Sequence, residues 1–321
     1  MNATSKPGML LARRFDSFEE LAHLAVAWDL DFRQLDSSRS ASALSQAQLG
    51  SLLVSSARFG CHVDQRGATP VGMRTFAIPH ADCSEMRWFG RPVDCNSLLT
   101  FPSNGELRAI SRPGFAVTTV SVPQALLDRY AQLSEGMASA GQLGAGETIT
   151  PAQPGSLDGL RSLSKRLSAA VAHGADGGCG QIIADIEDET LSALMRVLGS
   201  GTPARESDSR AGNRRRLGQL LDYVNGHADT PLRVADLCAV AQVSERTLQN
   251  LFKRELGMTP KTYLCGQRLY GAHRALRIAQ PSNCRVMDVA NAWGFWHMGQ
   301  FARDYRRLFD ELPSDTLMRG G

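Results

Sequence analysis

The sequence predicts an α+β protein, with a β-rich N-terminal part and an all-α C-terminal third, and three observations lead to this prediction. Short apolar runs rich in β-forming residues follow one another over residues 50–123, broken by Gly, Pro, Asn and Asp. Helical periodicity returns over residues 157–173 and 181–198. Beyond Arg214, a pattern of short helix, turn and longer helix occurs twice.

The β-rich part is predicted from four segments, SLLVSS, MRTFAIP, NSLLTFP and FAVTTVSV. Their spacing predicts an antiparallel sheet or a small barrel, so we expect a barrel-like N-terminal domain. A capping box from Ser17 to Glu20 predicts a flanking helix over residues 17–28. The helical pair over residues 157–198 has two interpretations that the sequence leaves open, a cover for the sheet or a dimerisation element.

Charge and composition divide the chain. From Arg214 onward there are 16 Lys and Arg against 10 Asp and Glu, a net charge of +6, whereas residues 1–213 carry −3. Residues 136–156 and 199–213 have linker composition, because they contain too few large apolar side chains to offset their ordering entropy. We therefore predict an N-terminal domain over 1–198, a flexible linker over 199–213 and a basic domain over 214–321, whose charge suits a polyanion.

Several classes of protein are not expected. No run of eighteen apolar residues predicts a membrane span, and the N-terminus lacks the apolar stretch of a secretory signal. Seven scattered cysteines favour reduced thiols and a cytoplasmic location. No nucleophile elbow, phosphate-binding loop or dinucleotide fingerprint is present. We therefore predict no catalytic residues and no cofactor, and the protein is not expected to be an enzyme.

The repeat lies in the basic domain. One copy is VADLCAVAQVSERTLQNLFKREL from Val234, and the other is VMDVANAWGFWHMGQFARDYRRLF from Val286. The two copies align at an offset of 52 residues before the turn and 53 after it, so one residue is inserted and the apolar pattern then resumes. This pattern predicts two helix-turn-helix units.

The longer helix of the first copy has a predicted exposed face of Arg246, Gln249, Asn250 and Lys253. Arginine can donate two hydrogen bonds to guanine, and Gln or Asn can pair with adenine. Lys253, late in the helix, suits a phosphate. A solvated amphipathic helix explains one such face equally well, but two copies favour binding of double-stranded DNA.

A connecting helix is predicted over residues 259–279, with Pro260 in its first turn. About 20 helical residues span about 30 Å, close to the ~34 Å of one DNA turn, so the two units could enter successive major grooves. The residues predicted to pack against the two units are Tyr263, Leu264, Leu269, Leu276 and Ile278.

These residues resemble the AraC/XylS family of bacterial transcription regulators over roughly Arg214 to Met318. The turn at Gly294-Phe295, the aromatic and basic core of the helix that follows, and Pro313 carry the resemblance. It implies an effector-responsive activator with a sensor and dimerisation domain over 1–198 and a double helix-turn-helix DNA-binding domain over 214–321. Such a protein forms a homodimer, contacts RNA polymerase and responds to a small-molecule effector. The segments RTLQNLF and WGFWHMGQFARDY are most similar to the subgroup that regulates ethanolamine-utilisation operons.

The resemblance also assigns the DNA contacts by position. Its base-contacting positions, extended here to His297, are Arg246, Gln249, Asn250, His297, Met298, Gly299, Ala302 and Arg303. The predicted phosphate contacts are Ser244, Thr247, Lys253, Arg306 and Arg307. Two departures stand out: Trp296 to Gly299 replace small polar residues, and Gln242 replaces the usual Gly of the first turn.

Other sites in the N-terminal part are weaker. The pairs Cys61-His62 and His80-x-x-Cys83 lack zinc-finger spacing, so no metal site is predicted. A sensing pocket in the mouth of a barrel is a common ligand site. Its candidate residues are Arg74, Phe76, Trp88 and Arg108. Two alternatives remain open: an enzyme-like barrel fused to a DNA-binding domain, and a ligand-independent DNA-binding dimer.

Overall fold

The protein is described by a computed structural model. The structure describes residues 8–15, 28–35, 42–83, 86–88, 91–103, 105–133, 148–153, 155–172, 179–200, 208–227 and 230–319. Within these residues, two antiparallel sheets and three helices form the N-terminal domain, and seven helices follow. The predicted α+β class is confirmed.

The strands divide between two sheets. In chain order the strands are β1 (Gly8–Phe15), β2 (Asp29–Gln34), β3 (Ser42–Leu49), β4 (Leu52–Phe59), β5 (Val63–Ala68), β6 (Met73–Pro79), β7 (Met86–Trp88), β8 (Arg91–Val93), β9 (Ser97–Phe101), β10 (Glu106–Ser111), β11 (Phe115–Pro123) and β12 (Thr148–Pro151). The seven-stranded sheet has the order β1-β3-β4-β11-β6-β9-β12, and the five-stranded sheet has the order β2-β5-β10-β7-β8.

One apolar core lies between the two sheets. It includes Phe32 from the five-stranded sheet and Phe59, Phe101 and Phe115 from the seven-stranded sheet. Among the described strands, none pairs one sheet with the other, so the structure corrects the barrel-like description: the domain is a sandwich and not a closed barrel.

A second core lies on the other face of the seven-stranded sheet. Helices α1 (Gln124–Leu133), α2 (Asp158–Ala172) and α3 (Cys179–Ser200) pack there through Leu127, Leu160 and Leu194, which are all buried. This packing favours the interpretation of the helical pair as a cover for its sheet, because its apolar stripe is already buried within one chain.

The C-terminal domain consists of helices throughout its described part. They are α4 (Asp208–Gly226), α5 (Val234–Ala241), α6 (Glu245–Leu256), α7 (Pro260–Ile278), α8 (Val286–Ala292), α9 (Met298–Phe309) and α10 (Pro313–Arg319). Two separate cores correspond to the two repeats, one around Leu237, Leu248 and Phe252, and one around Ala290, Phe301 and Tyr305. The connecting helix α7 contributes to both cores, which confirms its predicted role.

Some local predictions were wrong, and others fall outside the described residues. All four quoted β segments form strands, but β12 lies inside the stretch predicted as a linker over 136–156, because Ile149 is buried and its neighbours pair with β9. Ile278 ends α7 with 80% of its surface exposed instead of packing. Helix α4 begins at Asp208, within the range predicted as the second linker. The helix predicted at 17–28 lies almost wholly outside the described residues.

Candidate nucleic-acid interface and interior cavity

The longer helices of the two repeats, α6 and α9, occupy equivalent positions in their helix-turn-helix units. Ser244 is the N-cap of α6, and its hydroxyl accepts a hydrogen bond from the Thr247 amide at 3.3 Å. The matching residue before α9 is His297, whose side chain makes no cap hydrogen bond. The second helix therefore starts with less local stabilisation than the first.

The turns of the two units share one backbone feature. Gln242 has a φ of 52°, in the left-handed region, and the matching Gly294 has a φ of 74°. The amides that follow bond back to the first helix of each unit, Val243 to Cys238 at 3.1 Å and Phe295 to Ala290 at 2.9 Å. A left-handed residue is therefore part of the turn in both copies, and only the second copy uses glycine there.

The predicted DNA contacts lie on the surface of the two helices. The exposed ones are Arg246, Gln249, Asn250, His297, Gly299, Arg303, Ser244, Thr247, Lys253, Arg306 and Arg307, while Met298 and Ala302 are half-buried. Gln249 donates to the Glu245 carboxylate at 3.1 Å, and Arg307 pairs with Asp304 at 3.3 Å. The structure thus leaves these side chains available, and their individual contacts with bases and phosphates stay predictions.

A buried polar network holds the second helix in place. The Tyr305 hydroxyl lies 2.6 Å from Nδ1 of His273 on α7 and 2.7 Å from the Thr316 hydroxyl on α10. Phe309 stacks on His273 with ring centroids 4.3 Å apart. Three helices therefore meet at one tyrosine, which fixes the angle at which α9 leaves the domain.

Trp293 fixes the other side of the second unit. Its ring lies directly against the backbone of Gly271 on α7, where a Cβ would come within 2.5 Å of Cζ2 and closer still to Cη2 and Cζ3. Only glycine leaves room for this contact. This contact was not predicted from the sequence, although a glycine inside a predicted helix is a signal of close approach.

Trp296 is a further surface residue for which the sequence predicted no individual role. It has 72% of its surface exposed and stands immediately before the first turn of α9. A large aromatic side chain with this much exposed surface is unusual on a polar helix face that contacts only solvent.

The N-terminal domain contacts the connecting helix through the outer face of the five-stranded sheet. Arg66 pairs with Asp64 at 2.6 Å, and its guanidinium also donates to the Tyr263 hydroxyl at 2.6 Å. Burial raises the pKa of Tyr263, with the charge of Asp64 acting in the same direction, so the hydroxyl stays protonated and donates to Asp64 at 3.2 Å. We name Asp64, Arg66 and Tyr263 the interdomain triad.

Strand β2 adds two more contacts to the same helix. Arg33 donates to the Gln267 side-chain oxygen at 2.6 Å, and the Gln34 amide donates to the Tyr270 hydroxyl at 2.6 Å. Leu35 and Ile110 join the apolar core of the first helix-turn-helix unit. The five-stranded sheet therefore packs on α7 through both polar and apolar groups.

The inner face of that sheet borders a cavity of about 80 Å³ between the two sheets. The residues around it are Trp28, Leu30, Phe32, Leu44, Gln46, Ser55, Ala57, Phe59, Gln65, Ala77, Met86, Leu99, Phe101, Leu107, Ala109, Phe115, Val117 and Thr119. One water needs only ~10–15 Å³ of such space, so the cavity has room for a small molecule.

Three of the four predicted effector residues do not border this cavity. Arg74 and Trp88 are buried but do not border this cavity, and Phe76 belongs to the core under the helices. The side chain of Arg108 is not among the described ones, although its backbone belongs to β10. The assignment of an effector to these four residues stays a prediction.

Metal-binding and thiol chemistry find little support in the described residues. No three or more His, Cys, Asp and Glu of this set are grouped to hold a metal ion. Burial raises the pKa of Cys83 to about 11, so its thiolate is rare at neutral pH, and burial lowers the pKa of His80. Within the same residues, no helix is both long and apolar enough to cross a membrane.

Comparisons with known proteins agree with the C-terminal geometry. A helix-turn-helix domain model matches residues 237–319. The XylDLEGF operon transcriptional activator of Pseudomonas putida is 33% identical over 126 residues, 39% of this chain and 38% of its own length. The match therefore spans well under half of that relative. The crystal structure of the AraC-like transcriptional activator CuxR is 15% identical, with a TM-score of 0.44, over 82% of this chain and 94% of its own.

A second relative is covered more fully. The XylDLEGF operon transcriptional activator 2 of Pseudomonas putida is 30% identical over 139 residues, which is 43% of this chain and 81% of that protein. The repeated helix-turn-helix units, the connecting helix and these sequence matches lead to one conclusion: the chain belongs to the AraC/XylS family of DNA-binding transcription regulators.

Proposed function

We propose that this protein is a sequence-specific transcription regulator that reads two successive major grooves. The observation that carries the proposal is the pair of exposed helices, α6 and α9, joined by one connecting helix. Helix α7 has 19 residues, so it spans about 28 Å. This length approaches the ~34 Å between equivalent points on one face of B-DNA, and a single chain would then recognise a long, asymmetric half-site.

The two helices divide their tasks by residue type. Arg246, Gln249 and Asn250 suit guanine and adenine edges, and Lys253 suits a phosphate. In the second unit the exposed Arg303 is a candidate for base contact, and Arg306 and Arg307 for phosphates. Because Trp296, Met298 and Gly299 offer no charged donor, the second groove is read through apolar contacts to a greater extent than the first.

The proposal is tested by comparing specific and nonspecific affinities. Arg246→Ala is expected to weaken binding to the selected operator by about 1–3 kcal/mol and to leave nonspecific binding nearly unchanged. Arg254→Ala is the matched control, because Arg254 lies on the same helix but pairs with Glu255 at 2.6 Å. Equal losses on both DNAs would remove Arg246 from base readout.

The phosphate contacts have a different signature. Lys253→Ala is expected to reduce the slope of log affinity against log salt by about 0.9. A slope equal to that of the unmodified protein would show that Lys253 meets no phosphate. The operator for both tests comes from sequencing DNA recovered with the protein from its host cells.

We further propose that the protein activates an operon from the cytoplasm, as a homodimer that contacts RNA polymerase and responds to an effector. The relatives that are named as operon activators support this role. Kinship with regulators of ethanolamine-utilisation operons is proposed from the sequence segments RTLQNLF and WGFWHMGQFARDY alone. Sedimentation of the full chain at several concentrations tests the dimer.

The effector site that the geometry supports is the cavity between the sheets. Strand β5 turns Gln65 toward the cavity and Asp64 and Arg66 toward Tyr263. Strand β2 likewise alternates between Phe32 at the cavity and Arg33 at Gln267. A ligand that shifts these strands therefore shifts contacts with α7, and its differential affinity for two arrangements would set the orientation of the DNA-binding domain.

A further inference from the structure

The chemistry of the cavity restricts what it can hold. None of the described residues around it carries a charge. A charged group placed there would lose its hydration without gaining an opposite charge, and such burial is strongly unfavourable. The walls are instead aromatic and aliphatic, with Phe32, Phe59, Phe101 and Phe115 contributed by both sheets. The cavity therefore selects against carboxylates and ammonium groups.

Two polar atoms at the cavity lack hydrogen-bond partners. Gln46 is 2% exposed; its amide nitrogen donates to the Ser55 hydroxyl at 3.0 Å, but its Oε1 accepts no hydrogen bond. Trp28 also borders the cavity, and its buried Nε1 has no acceptor. The other polar side chains are engaged, Gln65 with Ser111 at 3.0 Å and Thr119 with the Ser55 carbonyl at 3.4 Å.

Unpaired buried groups of this kind are uncommon, because a polar group that is buried without a partner loses its hydration and gains no hydrogen bond in return. The unpaired acceptor is Oε1 of Gln46 and the unpaired donor is Nε1 of Trp28. A ligand group that can both donate and accept a hydrogen bond could pair with either of them. A hydroxyl group does both, whereas a hydrocarbon does neither. The residues around the cavity thus favour a molecule that is polar at one point and carries no charge.

We propose that this cavity binds an uncharged, largely apolar small molecule that carries a hydroxyl group, which donates to Gln46 or accepts from Trp28. This inference rests on the proposed function of an effector-responsive regulator and specifies the chemical class of its effector. The apolar part of the molecule packs among the four phenylalanines. Binding removes at least one of the two unpaired groups.

Four probes of similar size test the proposal on the full-length protein by calorimetric titration at pH 7. Phenol and toluene have nearly the same shape and differ by a hydroxyl and a methyl group. Benzoate and benzylammonium are their charged counterparts. Phenol is expected to bind about tenfold more tightly than toluene, as one added hydrogen bond provides, and the two charged probes are expected not to bind.

Variants locate the hydrogen bond. Gln46→Leu is expected to bring the affinities for phenol and toluene within about twofold of each other while toluene still binds. Trp28→Phe gives the same comparison at the second polar atom, and at least one of the two variants is expected to lose the preference. Ala57→Leu, which fills the cavity, is expected to weaken both neutral probes. If a variant does not fold, the comparison of the four probes on the unmodified protein still decides the matter.

Three results would overturn the proposal: benzoate or benzylammonium binding as tightly as phenol, toluene binding as tightly as phenol, or no binding of either neutral probe. An operator gel shift on the same preparation separates this inference from the proposed function. If the probes do not bind but the operator does, only the proposed ligand class is rejected. If the unmodified protein does not bind the operator, the proposed function as a transcription regulator is rejected.

Discussion

Replacing Gly271 by alanine tests how the second helix-turn-helix unit is anchored to α7. The added Cβ would lie 2.5 Å from Cζ2 of Trp293 and still nearer to two other ring carbons, whereas observed Cβ contacts below 3.0 Å are essentially absent. Trp293 is only 8% exposed, so its ring cannot simply turn into solvent. Either the ring leaves its site or α7 and α8 separate.

The expected cost follows from two opposing effects. Overpacking of a well-filled core costs about 1–3 kcal/mol, and a displacement this large belongs at the upper end. Alanine in a helix interior gains about 1 kcal/mol over glycine. The net destabilisation is therefore about 2 kcal/mol. Gly218→Ala in α4 is the matched control, because a Cβ there meets nothing within 4 Å, and it is expected to stabilise by up to about 1 kcal/mol.

Urea unfolding of the full-length protein, followed by circular dichroism, measures both variants. Trp293→Leu supplies the double-mutant cycle: in that background the added methyl group meets a smaller side chain, so Gly271→Ala should become nearly neutral. The reasoning is refuted if Gly271→Ala stabilises the protein as Gly218→Ala does, or if its cost persists unchanged in the Trp293→Leu background.

Three further variants probe the turn, the polar network and the surface of the DNA-binding domain, and a fourth probes the interdomain triad. Gln242→Gly relieves a left-handed backbone and should raise the unfolding free energy by about 0.5–1 kcal/mol in urea; a lower value would mean that the glutamine is unstrained. Tyr305→Phe removes the hydroxyl that His273 bonds and should cost about 1–2 kcal/mol in the same assay. Trp296→Ala should leave stability within about 0.5 kcal/mol and weaken operator binding by about 1 kcal/mol; unchanged binding would exclude DNA contact. Tyr263→Phe should cost about 1.5–3 kcal/mol, seen as faster proteolysis between the domains; an unchanged cleavage rate would contradict the triad's role.

The C-terminal domain was predictable because its information is local. The signals used were helical spacing, Pro260 and the N-cap at Ser244, and each of them acts within one or two helical turns. Because the unit is repeated, the same pattern could be recognised twice in the sequence. The correspondence of Gln242 with Gly294 was visible in the alignment of the two copies, and the structure explains it through the shared left-handed turn. The prediction that Ile278 packs against the helix-turn-helix units was wrong, because helical periodicity alone does not show where the surface of the packing partner ends.

The N-terminal domain was less predictable because its polar residues find distant partners. Strand β5, with the sequence VDQRGA, shows no apolar alternation, since its outer face meets the hydroxyl of Tyr263 nearly 200 positions later in the chain. Gln46 on β3 is likewise polar and buried, with its amide nitrogen bonded to Ser55 on the neighbouring strand. The cavity forms only when the two sheets pack together. The apolar periodicities of strands and helices, two and 3.6 residues, therefore do not predict it.

The alternation along β5 has a consequence for how such a regulator can change over generations. Gln65, which faces the interior, and its neighbours Asp64 and Arg66, which hold the connecting helix, differ by one position in the strand. Under the proposed effector role of the cavity, point substitutions at interior positions retune ligand preference while the contacts with α7 persist. A single-residue insertion or deletion would exchange the two faces and destroy both at once. Related chains with different effectors are then expected to vary these strands in composition and to keep their length.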